Sequence, residues 1–406
     1  MNRYSNARRP EEYAPRIKKV ELSEKNMVLR VIALILFAAA GAATLTWAIT
    51  SLLGRDAGRQ QISATGSAYS CGSDFVFIYD IRAGDTGANA EYKALQPLYS
   101  ELCDKASLLF CTDFTDDEVS GLGRLNASPN ERVVLDAAAY AALEKIAESG
   151  DRSIFLGPVY QLYDNLFTAF SDTEAAEVDP ARNEDMAQYV SELCAFICDE
   201  SSISISLYGK NTAVLNVSPE YAAYLEENAP DARLIDLYSL KNAFIIDYIA
   251  DELISAGYAA GSLSSIDGYA RLLGGDTVEQ RVGIYDCSDG TAQQVSQLGF
   301  TSALSYVTLS SSAAISPTRV FCYSTGEYVT GFISLQTGLS SCCVSSVTAF
   351  SESRGCADIM LALLPVMTAE SFSMDALCEA MGTDITAALV EDGSVVSTAP
   401  ISDLLR

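Results

Sequence analysis

Val344-Ser345-Ser346-Val347-Thr348-Ala349-Phe350 is followed by Ser351-Glu352-Ser353-Arg354-Gly355, and then by Cys356-Ala357-Asp358-Ile359-Met360-Leu361-Ala362-Leu363-Leu364, running on to Met367. The first part is rich in β-branched residues and predicts a strand. The last is a run of small and apolar residues that predicts a helix. A polar turn with one glycine separates them. Asp358 therefore falls in the first turn of a helix leaving the end of a strand. An acidic side chain there can meet a ligand or a metal. It can also do no more than complement the helix dipole, worth ~0.3–1 kcal/mol.

Working outward, strand and helix signals alternate along most of the chain. Phe75–Tyr79 reads as a strand and Glu91–Leu109 as an amphipathic helix. Val119–Asn130 reads as a loop, Leu135–Ala147 as a helix, and Asp172–Asp185, with Pro180, as an acidic loop. Met186–Ile197 reads as a helix. Ile203–Leu207 alternates apolar and polar residues, and Gly209-Lys210-Asn211 turns it into a second strand, Thr212–Val217. A strand over Ala232–Leu237 leads into a helix over Leu240–Ala256, closed by Gly257. Short strands follow near Leu263, at Val282–Tyr285, Leu304–Leu309, Val320–Tyr323 and Tyr328–Leu335. A helix over Met374–Met381 and a hairpin around Asp392-Gly393 come last. Strands grouped with helices, partly in hairpins, predict an α+β fold with a mixed sheet and packed helices.

The 406 residues carry a net charge of −27, unevenly placed. Residues 1–30 hold eight Lys or Arg and four Glu, leaving 18 basic and 49 acidic residues, −31, in the remainder. A body this acidic repels phosphate backbones, so nucleic acid is not an expected partner. The chain has no histidine. That excludes a histidine general base, Ser-His-Asp and Cys-His arrangements and His-ligated zinc. The eleven cysteines are odd in number, contain no Cys-x-x-Cys, and read mostly as small buried apolar residues.

Residues 1–30, with Pro10 and Pro15, read as a disordered cytoplasmic tail. No charge occurs from Val31 to Gly54, and a helix of that length spans ~36 Å, enough for a hydrocarbon core of ~30 Å. Trp47 lies towards its far end. Basic residues before the run outnumber those just after it (Arg55, Arg59), which predicts a single-pass cell-membrane anchor with a cytoplasmic N-terminus and an extracytoplasmic body. The small-residue segment Ala38–Ala43 leaves a cleaved signal peptide as the alternative. Residues 55–70 read as a Gly/Ser/Gln linker and 71–406 as the folded domain.

Four places in this order resemble the FAD:protein FMN transferases of the ApbE type. Ser120-Gly121-Leu122-Gly123-Arg124-Leu125-Asn126 is similar to the family's Ser-x-x-x-Arg-Leu-Asn. Gly157-Pro158-Val159 with Leu162-Tyr163 resembles Gly-Pro-Leu-x-x-x-Trp, with Tyr for Trp. Ile235-Asp236-Leu237 leading to Phe244 and Asp247 resembles Leu-Asp-Leu-Gly-Gly-x-Ala-Lys-Gly-Tyr-x-x-Asp. The opening stretch resembles the family's Ser-Val-Thr strand and Ala-Asp-x-x-x-Thr helix. Cys71-Gly72-Ser73 is similar in place to its Met-Gly-Thr. The colinear resemblance covers roughly residues 71–397.

The resemblance implies binding of FAD and Mg²⁺, and transfer of FMN to a threonine of a partner protein. It places Asn126, Asp236, Thr337 and Gly338 among the flavin-binding positions and Asp358 at the metal, where hard oxygen ligands suit Mg²⁺. Several site positions depart together. The metal's threonine is Ala362, the Gly-Gly pair is Tyr238-Ser239, and Ala-Lys-Gly is Lys241-Asn242-Ala243. The family's Asn-Ala-Gly-Gly-Asp is Ser265-Ile266-Asp267-Gly268-Tyr269. Its His-Ile-x-Asp-Pro-x-Thr-Gly is Gly331-Phe332-Ile333-Ser334-Leu335-Gln336-Thr337-Gly338. This pattern implies a catalytically degenerate relative that binds a ligand, or a protein partner in the envelope. Lys241 is then a candidate substitute for the metal beside Asp358. The alternatives are an active Mg²⁺-dependent transferase using Asp236, Asp267 or Asp358, and a structural envelope protein.

Overall fold

The computed structural model describes residues 57–65, 71–82, 88–274, 279–287, 291–310, 319–341 and 343–406. The expected tail and the apolar run 31–54 lie outside the described residues. Among those described, no helix is long and apolar enough to cross a membrane. Ala57–Arg406 forms one compact unit.

The chain opens with β1 (Gly58–Ile62), β2 (Phe75–Ile81) and helix α1 (Ala88–Phe110). A mainly helical insertion follows: α2 (Gly123–Ala127), β3 (Val133–Val134), α3 (Ala137–Ser149), α4 (Gly157–Phe167), α5 (Asp172–Val178) and α6 (Glu184–Cys198). It closes with the hairpin β4 (Ile203–Tyr208) and β5 (Thr212–Val217), then α7 (Pro219–Asn228). Helix α8 (Lys241–Ser255) returns the chain to the main sheet at β6 (Gly261–Ser265) and β7 (Tyr269–Gly274). Next come β8 (Gln280–Asp286), β9 (Gln293–Phe300), β10 (Leu304–Ser310), β11 (Val320–Cys322) and β12 (Tyr328–Thr330). The opening stretch supplies β13 (Ser346–Ser351) and α9 (Cys356–Met367), followed by α10 (Met374–Met381), β14 (Thr386–Glu391) and β15 (Ser394–Ser397).

Eight strands form the main sheet in the order β1-β2-β6-β7-β10-β13-β14-β15. The α+β class holds, but every pairing in this sheet is antiparallel where a mixed sheet was expected. Two of its neighbours are tight hairpins, and the long helical insertion between β2 and β6 returns the chain in the opposite direction. In the last hairpin Asp392 and Gly393 both have positive φ, +50° and +73°, the requirement of a two-residue turn that matches strand twist.

Helices α1, α8 and α9 pack together on one face of the sheet. On the other face the ribbon β8–β9 covers a smaller apolar cluster around Leu272, Ile284, Leu298 and Phe300. Strand β13 is buried along almost its whole length, as expected of a strand covered on both faces.

Several local expectations differ from the structure; among them, the expected loop Val119–Asn130 contains the short helix α2. Residues 58–62, expected as linker, are an edge strand paired along β2. Only Ile62 of that strand is buried, so its sequence carries no apolar alternation. The expected acidic loop begins with helix α5, where the Ser171 side chain accepts the Glu174 N–H and acidic residues occupy the first turn. Residues 232–237 are an irregular segment rather than a strand. Its backbone bonds are taken by side chains from elsewhere: Asn126 accepts the Ile235 N–H at 2.8 Å and donates to the Ile235 carbonyl at 2.8 Å.

Candidate functional site

Two carboxylates meet the start of α9, and they come from different places. Gly355 is the residue before the helix and has no side chain to cap it. Asp247, from α8, does that work: its carboxylate accepts the Cys356 and Ala357 N–H groups at 2.9 Å each. A Cβ at position 355 would lie 2.3 Å from Asp247 Oδ2, so the close approach requires glycine. Arg271 donates to the same carboxylate at 2.9 Å and also to Asp251. Burial pushes the Asp247 carboxyl above its usual range, while Arg271 and the two amide donors pull it back.

Asp358 sits one turn further on and reaches back to the Gly355 N–H at 3.1 Å, the acidic half of a capping box. Its two oxygens each lie 2.9 Å from Lys145 Nζ, on α3. The Asp358 and Lys145 side chains are 24% and 38% exposed, so the pair lies at the surface of the core. Asp358, Ala362 and Pro365 are the less buried positions of α9, spaced to share one helix face. That face lines an open groove of about 500 Å³ with Lys145, Arg354 and Met381.

The residues do not fit Mg²⁺ here. An ammonium already neutralises the single carboxylate, and the position one turn later is an alanine. The expected pairing of Lys241 with Asp358 is not found: Lys241 starts α8 and makes no ion pair among the described residues. Nor do the described residues contain a cluster of three or more Asp, Glu or Cys placed to hold a metal.

The second feature lies around Tyr238. Its ring stacks on Tyr160, with centroids 3.8 Å apart and planes within 5°. The Arg319 guanidinium lies 3.8 Å from the same ring centroid, so Tyr238 is sandwiched. Tyr238 has a φ of +45°, and its N–H is accepted by Asp236 Oδ1 at 2.8 Å. Asp236 is buried and pairs at 2.9 Å with Arg233, which also bonds Asp113 and Asp164. Burial raises the Asp236 carboxyl, and Arg233 opposes that shift.

Gly331 faces this stack. A Cβ there would lie 3.1 Å from Arg319 Cβ and 3.2 Å from Tyr238 Cε1. The ring and the aliphatic stem of Arg319 therefore occupy the room a side chain at 331 would need. What remains is a cleft of about 40 Å³ between Ser239, Asp267, Tyr269, Arg319 and Thr330. Sites for drug-sized ligands run to ~300–1,000 Å³, and one water needs ~10–15 Å³. As bounded by the described residues, the cleft suits a few waters rather than a flavin dinucleotide.

The remaining expected site residues are engaged in holding the fold. Asn126 clamps the segment that presents Asp236 and also donates to the Thr112 carbonyl at 3.0 Å. Thr337 and Gly338 form a turn, where Thr337 Oγ1 accepts the Leu339 N–H at 3.3 Å. The Gly338 carbonyl accepts the Tyr163 hydroxyl at 3.0 Å. Asp236 belongs with the Tyr238 stack, and Asp358 with the α9 groove. Sequence reasoning missed Lys145, Arg271, Arg233 and Arg319. Lys145 and Asp358 are 213 positions apart, and no local pattern links them.

No protein-family profile matches the chain, and no curated protein sequence matches it significantly. Solved structures do. The ApbE protein of Thermotoga maritima superposes with a TM-score of 0.58 at 14% identity, covering 84% of this chain and 96% of that one. The flavin transferase ApbE of Vibrio cholerae gives 0.53 at 14% identity, covering 84% and 97%. The flavinyl transferase ApbE of Pseudomonas stutzeri, in its apo form, gives 0.51 at 14% identity, covering 84% and 94%. The chain has the ApbE-like fold over nearly the whole length of those proteins.

Proposed function

We propose that this protein is a membrane-anchored, extracytoplasmic ApbE-like domain that has kept the fold and given up flavin transfer, and that it acts by binding a ligand or an envelope protein. The observation that carries this reading is the Arg319–Tyr238–Tyr160 stack facing Gly331. By the resemblance, Tyr238 replaces a glycine and Gly331 replaces a histidine. One substitution fills space, and the other removes the side chain that would collide with the filler. That is a matched repacking of the cleft, which random loss of single site residues would not produce. The Lys145–Asp358 pair supports the same reading, because a resident ammonium compensates the carboxylate that the resemblance assigns to the metal. The anchor and the orientation rest on the uncharged run 31–54 and the basic residues before it.

The test is to incubate the purified protein with FAD, Mg²⁺ and a threonine-containing acceptor from an ApbE system. We expect neither covalently flavinylated acceptor nor released AMP. Acceptor fluorescence that requires both this protein and Mg²⁺ would overturn the reading in favour of an active transferase. For the topology, protease applied to the outer face of intact cells should digest the body; a protected body would refute the extracytoplasmic placement.

A further inference from the structure

Cys71 and Cys103 are brought together by the fold and have no part in the reading above. Cys71 lies just before β2 and Cys103 in the middle of α1, and both are buried, at 6% and 0% exposure. The Cys71 thiol donates to the Cys103 carbonyl at 3.2 Å. The chain before Cys71 already runs along the same helix: Thr65 N–H donates to Ser100 Oγ at 2.9 Å, and the Gln96 side chain donates to the Ser63 carbonyl. Tyr99 is fully buried, its ring packs on Phe77, and its hydroxyl has no hydrogen-bond partner. Joining the two cysteines removes two weak S–H donors from a buried place.

We propose that Cys71 and Cys103 form a disulfide when the protein meets a disulfide oxidant, stapling the start of β2 to α1. With oxidised glutathione as that oxidant, one cysteine thiolate attacks a glutathione sulfur and releases one glutathione thiolate. The second cysteine then attacks the mixed disulfide and releases the other. The pair loses two electrons and glutathione disulfide gains them; the two cysteine protons end on the two released thiols. The neighbouring Cys103 thiol and burial both hold the Cys71 thiol well above the usual thiol range, so the folded, reduced pair reacts slowly and exchange proceeds through local opening.

The sequence makes the test direct. Trypsin releases Cys71 in Gln60–Arg82 and Cys103 in Ala94–Lys105, each with that single cysteine. The full-length protein in detergent is treated with excess glutathione disulfide, once folded and once after brief exposure to moderate urea followed by dilution. Free thiols are alkylated and the digest is mapped unreduced. We expect the two peptides to be recovered joined, at the sum of their masses less two hydrogens. We also expect the melting temperature to rise by roughly 5 °C on oxidation and to return with dithiothreitol. Cys198, Cys322 and Cys378 are exposed, and their glutathionylation reports that the oxidant was active. If both peptides are recovered alkylated, or joined to other cysteines, in the urea arm while those three are modified, the staple is refuted. The outcome does not depend on flavin chemistry, so failure here leaves the proposed function standing, and the reverse holds too.

Discussion

Asp247 and Asp358 serve the same helix end and do opposite kinds of work. Asp247 is 13% exposed, approaches α9 from a neighbouring helix, and is bonded by two backbone N–H groups and Arg271. Asp358 belongs to α9 itself, is 24% exposed, and faces a lysine across an open groove. The first carboxylate fixes where two helices and a strand meet. The second lies where a partner can change without moving the backbone. What faces Asp358 can change without moving the backbone, but Asp247 cannot be replaced without displacing α9.

The largest effect that tests the contrast is at Asp247. Replacing it with alanine strips two N–H groups of α9 of their acceptor and leaves Arg271 undercompensated in a mostly buried place. We expect a loss of roughly 3–5 kcal/mol by denaturant unfolding. A loss below about 1 kcal/mol would dissolve the distinction between the two carboxylates.

Next comes the repacked cleft. Gly331→His should cost roughly 1–3 kcal/mol by overpacking against Tyr238 and Arg319. In a Tyr238→Gly background, where glycine also relieves the positive φ, that cost should shrink markedly. A double-mutant cycle reads the coupling. Strict additivity would show that the two positions do not compete for the same space.

The Lys145–Asp358 pair should matter less. Because both side chains are partly exposed, a cycle of Lys145→Met and Asp358→Asn should yield under ~1 kcal/mol, falling further with salt. Millimolar Mg²⁺ should leave the melting temperature of the unaltered protein unchanged. A Mg²⁺-dependent rise would place a metal where the structure has an ammonium.

The smallest effects are in pH dependence, and their signs are opposed. The Asp247 carboxyl is raised on folding, so its contribution is present below the unfolded value and is lost as pH rises through the folded one. The exposed Asp384 carboxyl is lowered, first by its hydrogen bond from Arg354. Its contribution is present above the unfolded value and is lost as pH falls through the folded one. Carboxyl NMR titration should find Asp247 above and Asp384 below the ordinary aspartate range. A reversed order would contradict the burial assigned to each.

What the sequence by itself determined is the set of elements whose signals are local. The strand and helix around Asp358, the α8 helix with its closing Gly257, the β4–β5 hairpin, the Met374–Met381 helix and the Asp392-Gly393 turn all follow from periodicity, capping and turn chemistry. The ApbE resemblance rested on the same kind of short, colinear segments, and the fold agrees with it. Tertiary structure alone decided the rest. It made residues 58–62 a strand, because an edge strand can draw its pairing from a neighbour without an apolar pattern of its own. It left residues 232–237 irregular, because the Asn126 and Gln161 side chains take up backbone groups of that segment. It set Lys145, not Lys241, against Asp358, because charge pairing follows distance in space and these partners lie on helices far apart in the chain. It put Tyr238 between Tyr160 and Arg319 over Gly331, a fit of shapes that becomes visible only once four distant segments are packed together.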